Sequence, residues 1–456
     1  MGETRRGPRH ARARTSARRP VDAGSRLSAE EAGVDTARGA AAGLIAGVLD
    51  HRRILGEARL GHLSPPERAE AMSLADLTLR RLGEIDAVLA RFVDRVPGPP
   101  AIHLLRLMAA EILHAGRPAH AAVDGAVKLA RSEKATLRVA GLINAVGRKL
   151  AGAPEPKRPP AINTPDWLAQ ALAADWGREE ANLIMRAHRA PPPSHDLSLK
   201  NPADAEPLAA ETGGTLLPSG TLRLDGRPQI SALPGFEAGA WWVQDAAAAL
   251  PALLLEGEPG AIEGKRVLDL CAAPGGKTMQ LAAMGAEVTA LDVNEARLKT
   301  LSHNLERTGL AAEVVAADAR DWQPEASFDA ILLDAPCSAT GTARRHGDLA
   351  WRLAPDDIPP LLELQASLLA RAWGWLAPGG RLVYATCSLL RAEGEDQIAS
   401  FLEAMPGARL SAIDGEDPRL PPGVVTAEGT LRTLPSMLPE VGGLDGFFAA
   451  RLELTA

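Results

Sequence analysis

The chain is predicted to be an α/β protein: a mainly parallel sheet with helices on both faces, preceded by an all-α front domain and a small α/β insert. Three observations predict it. From about Gly264 short apolar strands alternate with helical stretches, the rhythm of a doubly wound parallel sheet. Between Asp35 and Leu150 apolar residues recur every three or four positions, as in Ala41, Leu44, Ile45 and Val48, the period of amphipathic helices. Between the two blocks, residues 151–160 form a stiff proline-rich linker. A chain of 456 residues, 46% hydrophobic, has room for about three domains with buried cores.

In order along the chain, residues 1–34 are expected to be a basic disordered tail. Its first twenty residues carry Arg5, Arg6, Arg9, Arg12, Arg14, Arg18 and Arg19 against the single acid Glu3. An RNA-touching arm and an organelle presequence are the alternatives; without an apolar core segment it is no secretory signal. The helical domain spans 35–150. Its breaks fall at residues 63–66 and 97–100, where prolines push the preceding residue out of helix. After the linker, residues 161–235 hold a short helix opening near Asp166, closed at Ala190, then Gly-bounded strands such as 221–224. The domain 236–456 carries the sheet, with strands at 266–270, 287–292, 313–317, 330–334 and 381–385. A helix from Ile358 to Leu376 should bury Leu361, Leu364, Leu368, Leu369 and Leu376 and end in a left-handed cap at Gly379 and Gly380. Residues 446–454 should form a final edge strand.

Composition narrows the function. No apolar run is long enough to cross a bilayer. Three cysteines without paired spacing argue against a disulfide scaffold and for a reducing cytoplasm. They form no zinc pattern either, so no metal is expected. A net charge of −7 does not by itself point to a polyanion.

In a doubly wound sheet ligands sit beyond the carboxyl ends of the strands. The turn after the first strand runs Cys271, Ala272, Ala273, Pro274, Gly275, Gly276 and Lys277, then opens a helix. Its glycines admit close backbone approach, and the helix N-terminus favours a carboxylate. Asp292, ending the second strand some twenty residues on, suits ribose hydroxyls. Asp318, ending the third, suits an exocyclic adenine amine. The turn lacks the glycine spacing of a Walker loop and is not Gly-x-Gly-x-x-Gly, so an adenosyl ligand bearing an amino-acid carboxylate suits it best.

Cys387 follows the fifth strand and Cys337 lies three residues beyond Asp334, which ends the fourth. A thiolate adding to carbon 6 of a pyrimidine makes carbon 5 nucleophilic, provided the ring is held at N3. Cys387, close before a helix starting near Ala392, suits the attack. Asp334 beside it suits the N3 edge of a flipped base, and Cys337 suits removal of the C5 proton or expulsion of the first thiol.

The phrases 334–341 (Asp-Ala-Pro-Cys-Ser-Ala-Thr-Gly), 344–346 (Arg-Arg-His) and 385–388 (Ala-Thr-Cys-Ser), with the Pro-Gly-Gly-Lys turn, resemble the Sun/Nop family of RNA cytosine-5 methyltransferases. The front, with phrases 123–127 and 142–146, resembles the NusB antitermination factor fold; the combination resembles the bacterial RsmB branch, as do 233–236, 243–245 and 445–448. The resemblance implies a class I, Rossmann-like methyltransferase domain behind a NusB-like RNA-binding domain. It implies a monomer using S-adenosyl-L-methionine to make 5-methylcytosine in small-subunit (16S) ribosomal RNA. Cys387 would be the covalent nucleophile and Cys337 the release cysteine. Residues 271–277, Asp292, Arg297, Asp318 and Asp334 would surround the cofactor. Residues 390–395 depart from the family's Pro-Glu-Glu-Asn pattern, which puts that loop in doubt. DNA enzymes place the attacking cysteine after the fourth strand, so DNA is not expected. The rival readings are the same chemistry on tRNA and a noncatalytic RNA-binding assembly factor.

RNA contacts are expected from Arg344, Arg345, His346, Trp351 and Arg352, a basic and aromatic cluster. Lys128, Arg131, Lys134, Arg138, Arg148 and Lys149 are expected to present either a second basic face or an ordinary solvated one.

Overall fold

The computed structural model describes residues 37–153 and 159–454, so the Arg-rich tail and linker residues 154–158 lie outside the described residues. The helical front holds α1 (Ala37–His51), α2 (Pro65–Arg80), α3 (Leu82–Leu89), α4 (Ala101–Leu113), α5 (Ala119–Ser132) and α6 (Ala140–Leu150). The break before α2 is a capping box: the Ser64 N–H donates to Glu67 at 2.9 Å, and Pro65 opens the helix where its missing N–H costs nothing. Met108 and Ile143 are fully buried in the core that α3 to α6 share.

α7 (Asp166–Arg189) is longer than the short helix expected. It is two helices joined at Gly177, whose φ of 76° only glycine adopts readily. Next come β1 (Asp196–Leu199), α8 (Ala205–Thr212), β2 (Thr215–Leu216), β3 (Leu222–Arg223) and β4 (Trp241–Val243). They form an antiparallel sheet ordered β2-β3-β1-β4. The small sheet therefore runs past residue 235, because Trp241 and Trp242 pair with Leu199 and Ser198 of β1.

The large sheet follows: α9 (Ala246–Glu256), β5 (Arg266–Leu270), α10 (Gly276–Ala283), β6 (Glu287–Asp292), α11 (Glu295–Thr308), β7 (Glu313–Ala316), β8 (Phe328–Asp334), α12 (Leu349–Arg352), α13 (Ile358–Trp373), β9 (Leu376–Thr386), α14 (Glu395–Ala404), β10 (Ala408–Leu410), β11 (Leu431–Thr433) and β12 (Phe447–Leu454). Strand order is β10-β12-β9-β8-β5-β6-β7, with β11 added on β12. The ladders from β9 across to β7 are parallel and those of β12 antiparallel. Apolar clusters cover both faces, so the strands are apolar throughout rather than alternating. The mainly parallel sheet behind a helical front is the fold class expected.

Two expectations are corrected. α13 ends at Trp373, not Leu376, because Leu376 is drawn into the ladder opposite Phe328; Gly379, at φ 76°, lies inside β9 and caps no helix. β12 is not the edge, because β10 pairs on its outer side through Ala408 and Leu454.

The order reverses between β5 and β8, and their carboxyl ends make the crevice where such sheets bind ligands. The helical front docks beside it. Trp351 of α12 donates from Nε1 to the Leu79 carbonyl at 2.9 Å, and the Leu55 N–H donates to Asp348 at 3.1 Å.

Candidate active site

The turn after β5 is built for close approach. Cys271 takes a left-handed φ of 64° and Gly275 one of 105°; a Cβ on Gly275 would also lie 2.8 Å from Leu301. α10 starts one residue later, its N-terminus beside a cavity of about 330 Å³. Of the expected residues, Ala272, Ala273, Pro274, Gly276, Lys277 and Asp334 line this cavity. Cys271, Gly275, Asp292, Arg297, Asp318, Cys337 and Cys387 do not. Asp292, buried, accepts from the Ala273 N–H at 3.0 Å and from Asn294 N–H at 2.8 Å, so it braces the turn. The Arg297 guanidinium donates to the Ala273 carbonyl from the other side. Asp318 does not end its strand: β7 stops at Ala316, and the carboxylate in the following turn is gripped by Arg320 at 2.6 Å. That Arg320 contact holds the Asp318 carboxyl below its ordinary range.

Asp269, on β5, also lines the cavity and was not foreseen. It is fully buried; one oxygen accepts from Thr278 Oγ1 at 2.5 Å and the other has no partner among the described residues. Burial pushes its pKa up to about 7. A lone acid among the apolar residues of 267–270 was the sequence signal for it. An orphaned buried acceptor opposite a helix N-terminus fits a ligand that carries both an ammonium and a carboxylate.

β8 and β9 lie side by side with Asp334 opposite Ala385, which brings the two cysteine loops together. Cys337 Sγ and Cys387 Sγ are 3.5 Å apart, and both residues are half-buried. The contact with Cys387, then burial, pushes the Cys337 thiol well above its ordinary pKa. Lys277 reaches from α10 to Asp334 at 2.8 Å. Burial disfavours its charge, yet the neighbouring Asp334, with Asp269 and Cys387, holds its pKa above the ordinary value. Cys271 stands apart from the thiol pair, and burial pushes its pKa up.

The cluster expected to touch RNA does something else. Arg344 is 4% exposed and pairs with Asp445 at 2.8 Å; Arg345 pairs with Asp445 at 2.8 Å and with Asp245. Trp351 packs on the helical front, Arg352 binds Asp348 at 2.7 Å, and His346 faces a small interdomain cavity. These residues tie the Cys337 loop to the start of α9, to the turn before β12 and to the front, because buried guanidinium groups need carboxylate partners. The second set, Lys128, Arg131, Lys134, Arg138, Arg148 and Lys149, is exposed on α5, α6 and the turn between them.

Comparison with known proteins places these features. A family model described as 16S rRNA methyltransferase RsmB/F matches residues 258–453, and one described as NusB family matches 35–151. The ribosomal RNA small subunit methyltransferase B of Klebsiella pneumoniae subsp. pneumoniae is 36% identical over 414 residues, 86% of this chain and 91% of that protein. The protein of the same name from Pseudomonas syringae pv. tomato is 36% identical over 439 residues, covering 91% and 96%. Among solved structures, that of PH0851 matches with a TM-score of 0.72 and 25% identity over 91% of this chain and 98% of its own. A methyltransferase homolog protein from Pyrococcus horikoshii matches at 0.52 and 27% over 63% and 94%.

Proposed function

The chain belongs to the 16S rRNA methyltransferase RsmB/F family, an RNA methyltransferase with a NusB-like front, and on that premise we propose that it methylates carbon 5 of a cytosine in 16S rRNA through a covalent Cys387–C6 adduct. The observation that carries the reading is the thiol pair, 3.5 Å apart, beside the Lys277–Asp334 pair. S-adenosyl-L-methionine supplies the methyl group when bound; Ala272 to Lys277 and the orphaned Asp269 oxygen would hold its amino-acid end. Asp292 would take the ribose and Asp318 the adenine amine, after exchanging Arg320 for the ligand.

The residues divide the work as follows. Cys387, as thiolate, forms the bond to C6, and electron density moves to C5. Asp334, as the acid, gives a proton to N3 as the thiolate adds, so the ring gains no net charge, and takes it back when Cys387 leaves; Lys277 stabilises the carboxylate in between. After methylation C5 carries both the methyl group and a proton. Cys337 gives its proton to the departing Cys387 sulfur and takes the proton from C5 as the C5–C6 double bond re-forms. Both sulfurs end as thiols, and ionisation of Cys387 releases the proton of the overall reaction. The resting thiol form of Cys337 supports this order, since its contact with Cys387 keeps it protonated until the adduct forms.

The test is methyl transfer to unmodified 16S rRNA and to bulk tRNA, with bisulfite mapping of the product. Transfer to 16S rRNA cytosine is expected; transfer to tRNA alone overturns the substrate, and cofactor binding without turnover on either RNA overturns the enzyme reading.

A further inference from the structure

Resting on the covalent mechanism just given, we propose that Glu393 is a positioning residue that holds the release thiol Cys337 against Cys387. Its carboxylate is fully buried. One oxygen accepts from the Ser338 N–H at 2.8 Å and from Gln365 Nε2 at 3.0 Å; the other accepts from Ser338 Oγ and Ser388 Oγ, each at 2.5 Å. Four donors occupy the acceptor capacity of one carboxylate. Ser338 and Ser388 each directly follow one of the two cysteines, so a single side chain bridges the two loops.

The two loops depend on it unequally. Cys387 directly continues β9, whose last residue Thr386 is in register with Phe448, and the Cys387 carbonyl accepts from the Gly341 N–H at 2.9 Å. β9, the Gly341 N–H and the Arg432 guanidinium, which donates to the Ser388 carbonyl at 2.6 Å, thus hold the Cys387 side in addition to its one bond from Ser388 to Glu393. Cys337 lies three residues past the end of β8, and the last backbone tie before it is the Ala335 N–H to the Ala385 carbonyl at 2.8 Å. Beyond that point Ser338 is held by Glu393, and Pro336 by Gln365, whose Nε2 donates to the Pro336 carbonyl at 2.9 Å while also binding Glu393. The Glu393 backbone is fixed in turn by Tyr384, the only tyrosine of the chain, whose hydroxyl donates to the Glu393 carbonyl at 2.9 Å. Loss of the carboxylate therefore frees the release thiol and leaves the attacking one in place.

This separates the two halves of the reaction. The Glu393→Gln variant, with one acceptor oxygen for four donors, should still form the adduct and methylate but release slowly. The experiment mixes each protein with unmodified 16S rRNA and cofactor, denatures it, and measures protein–RNA adduct on a gel beside single- and multiple-turnover methylation. Glu393→Gln is expected to raise the adduct about 10-fold over wild type. Multiple turnover should fall about 100-fold while the first turnover stays within about 10-fold, the scale expected of a misplaced catalytic group. Adding Cys387→Ala should abolish the adduct. Ser338→Ala removes one arm of the bridge and should shift the same readouts in the same direction by less, which covers a Glu393→Gln protein that fails to fold. Cys337→Ala is the reference: no adduct there sinks the covalent reading itself. An adduct in Cys337→Ala with none in Glu393→Gln and Ser338→Ala, or a first turnover lost as severely as the later ones, overturns the role of Glu393 alone.

Discussion

Replacing Gly341 by alanine is a test of how tightly the catalytic loops are stitched. A Cβ at this position would lie 1.9 Å from the Gly446 carbonyl oxygen and 2.6 Å from its carbon. Ordinary contact needs about 3.5 Å, so one segment must retreat by roughly 1.5 Å, and a backbone carbonyl cannot rotate away as a side chain would. Overpacking of this kind costs about 1–3 kcal/mol. The Gly446 N–H bond to Gly341 and the Gly341 N–H bond to Cys387, both 2.9 Å, would stretch as well, at about 1 kcal/mol each. The sum is about 3–5 kcal/mol of stability. Because Gly341 holds the Cys387 carbonyl, displacement by about 1 Å should also slow methylation on the order of 100-fold. The control is Gly141→Ala: Gly141 sits exposed near the start of α6 with nothing within 4 Å of the added Cβ. That change should be stabilising by about 0.5–1 kcal/mol, since glycine in a helix carries an entropic cost. Urea unfolding and a single-turnover methylation assay on both variants decide the matter. If Gly341→Ala unfolds at the wild-type midpoint and keeps its rate, the close approach of the two segments is not a feature of the working enzyme.

Asp269, with a pKa raised to about 7 against an ordinary 3.8, binds more protons folded than unfolded, so its contribution to stability is full below about pH 4 and is lost as pH rises to about 7. Over that window the loss amounts to at most roughly 4 kcal/mol, and Asp269→Asn should flatten it; parallel pH–stability curves for the two proteins would falsify the shift. Lys277→Met strands the Asp334 carboxylate. With Lys277 buried and Asp334 31% exposed, about 2 kcal/mol of stability should go, below the roughly 3–5 kcal/mol of a fully buried pair, with methyl transfer falling far more; unchanged kcat refutes the role of the pair. Replacing Lys134, Arg138, Arg148 and Lys149 by glutamine should reduce the salt slope of RNA binding by up to about 3, at roughly 0.7 per phosphate contact; an unchanged slope means that this face does not meet RNA.

Much of this protein was legible in the chain alone. The period-3.6 front and the β/α alternation are local signals, set by which side chains must be buried, and the strands and helices stand close to where they predict. The cofactor turn and the two cysteine loops are short contiguous phrases, so a candidate chemistry for them could be named without coordinates. Residues whose role depends on partners remote in the chain could not. Arg344 and Arg345 look like an exposed basic cluster until Asp245 and Asp445, about 100 residues away on either side, are folded against them. Glu393 lies in the loop whose sequence departs from the family pattern, and nothing local reveals that Ser338, 55 residues earlier, needs its carboxylate. Strand and helix propensities act within a few residues, whereas pairing of buried polar groups is decided only when the chain closes and water is excluded. The sequence alone pointed to the reaction class and to the candidate sulfur; tertiary packing decided which charged groups meet solvent and which lock the two cysteine loops.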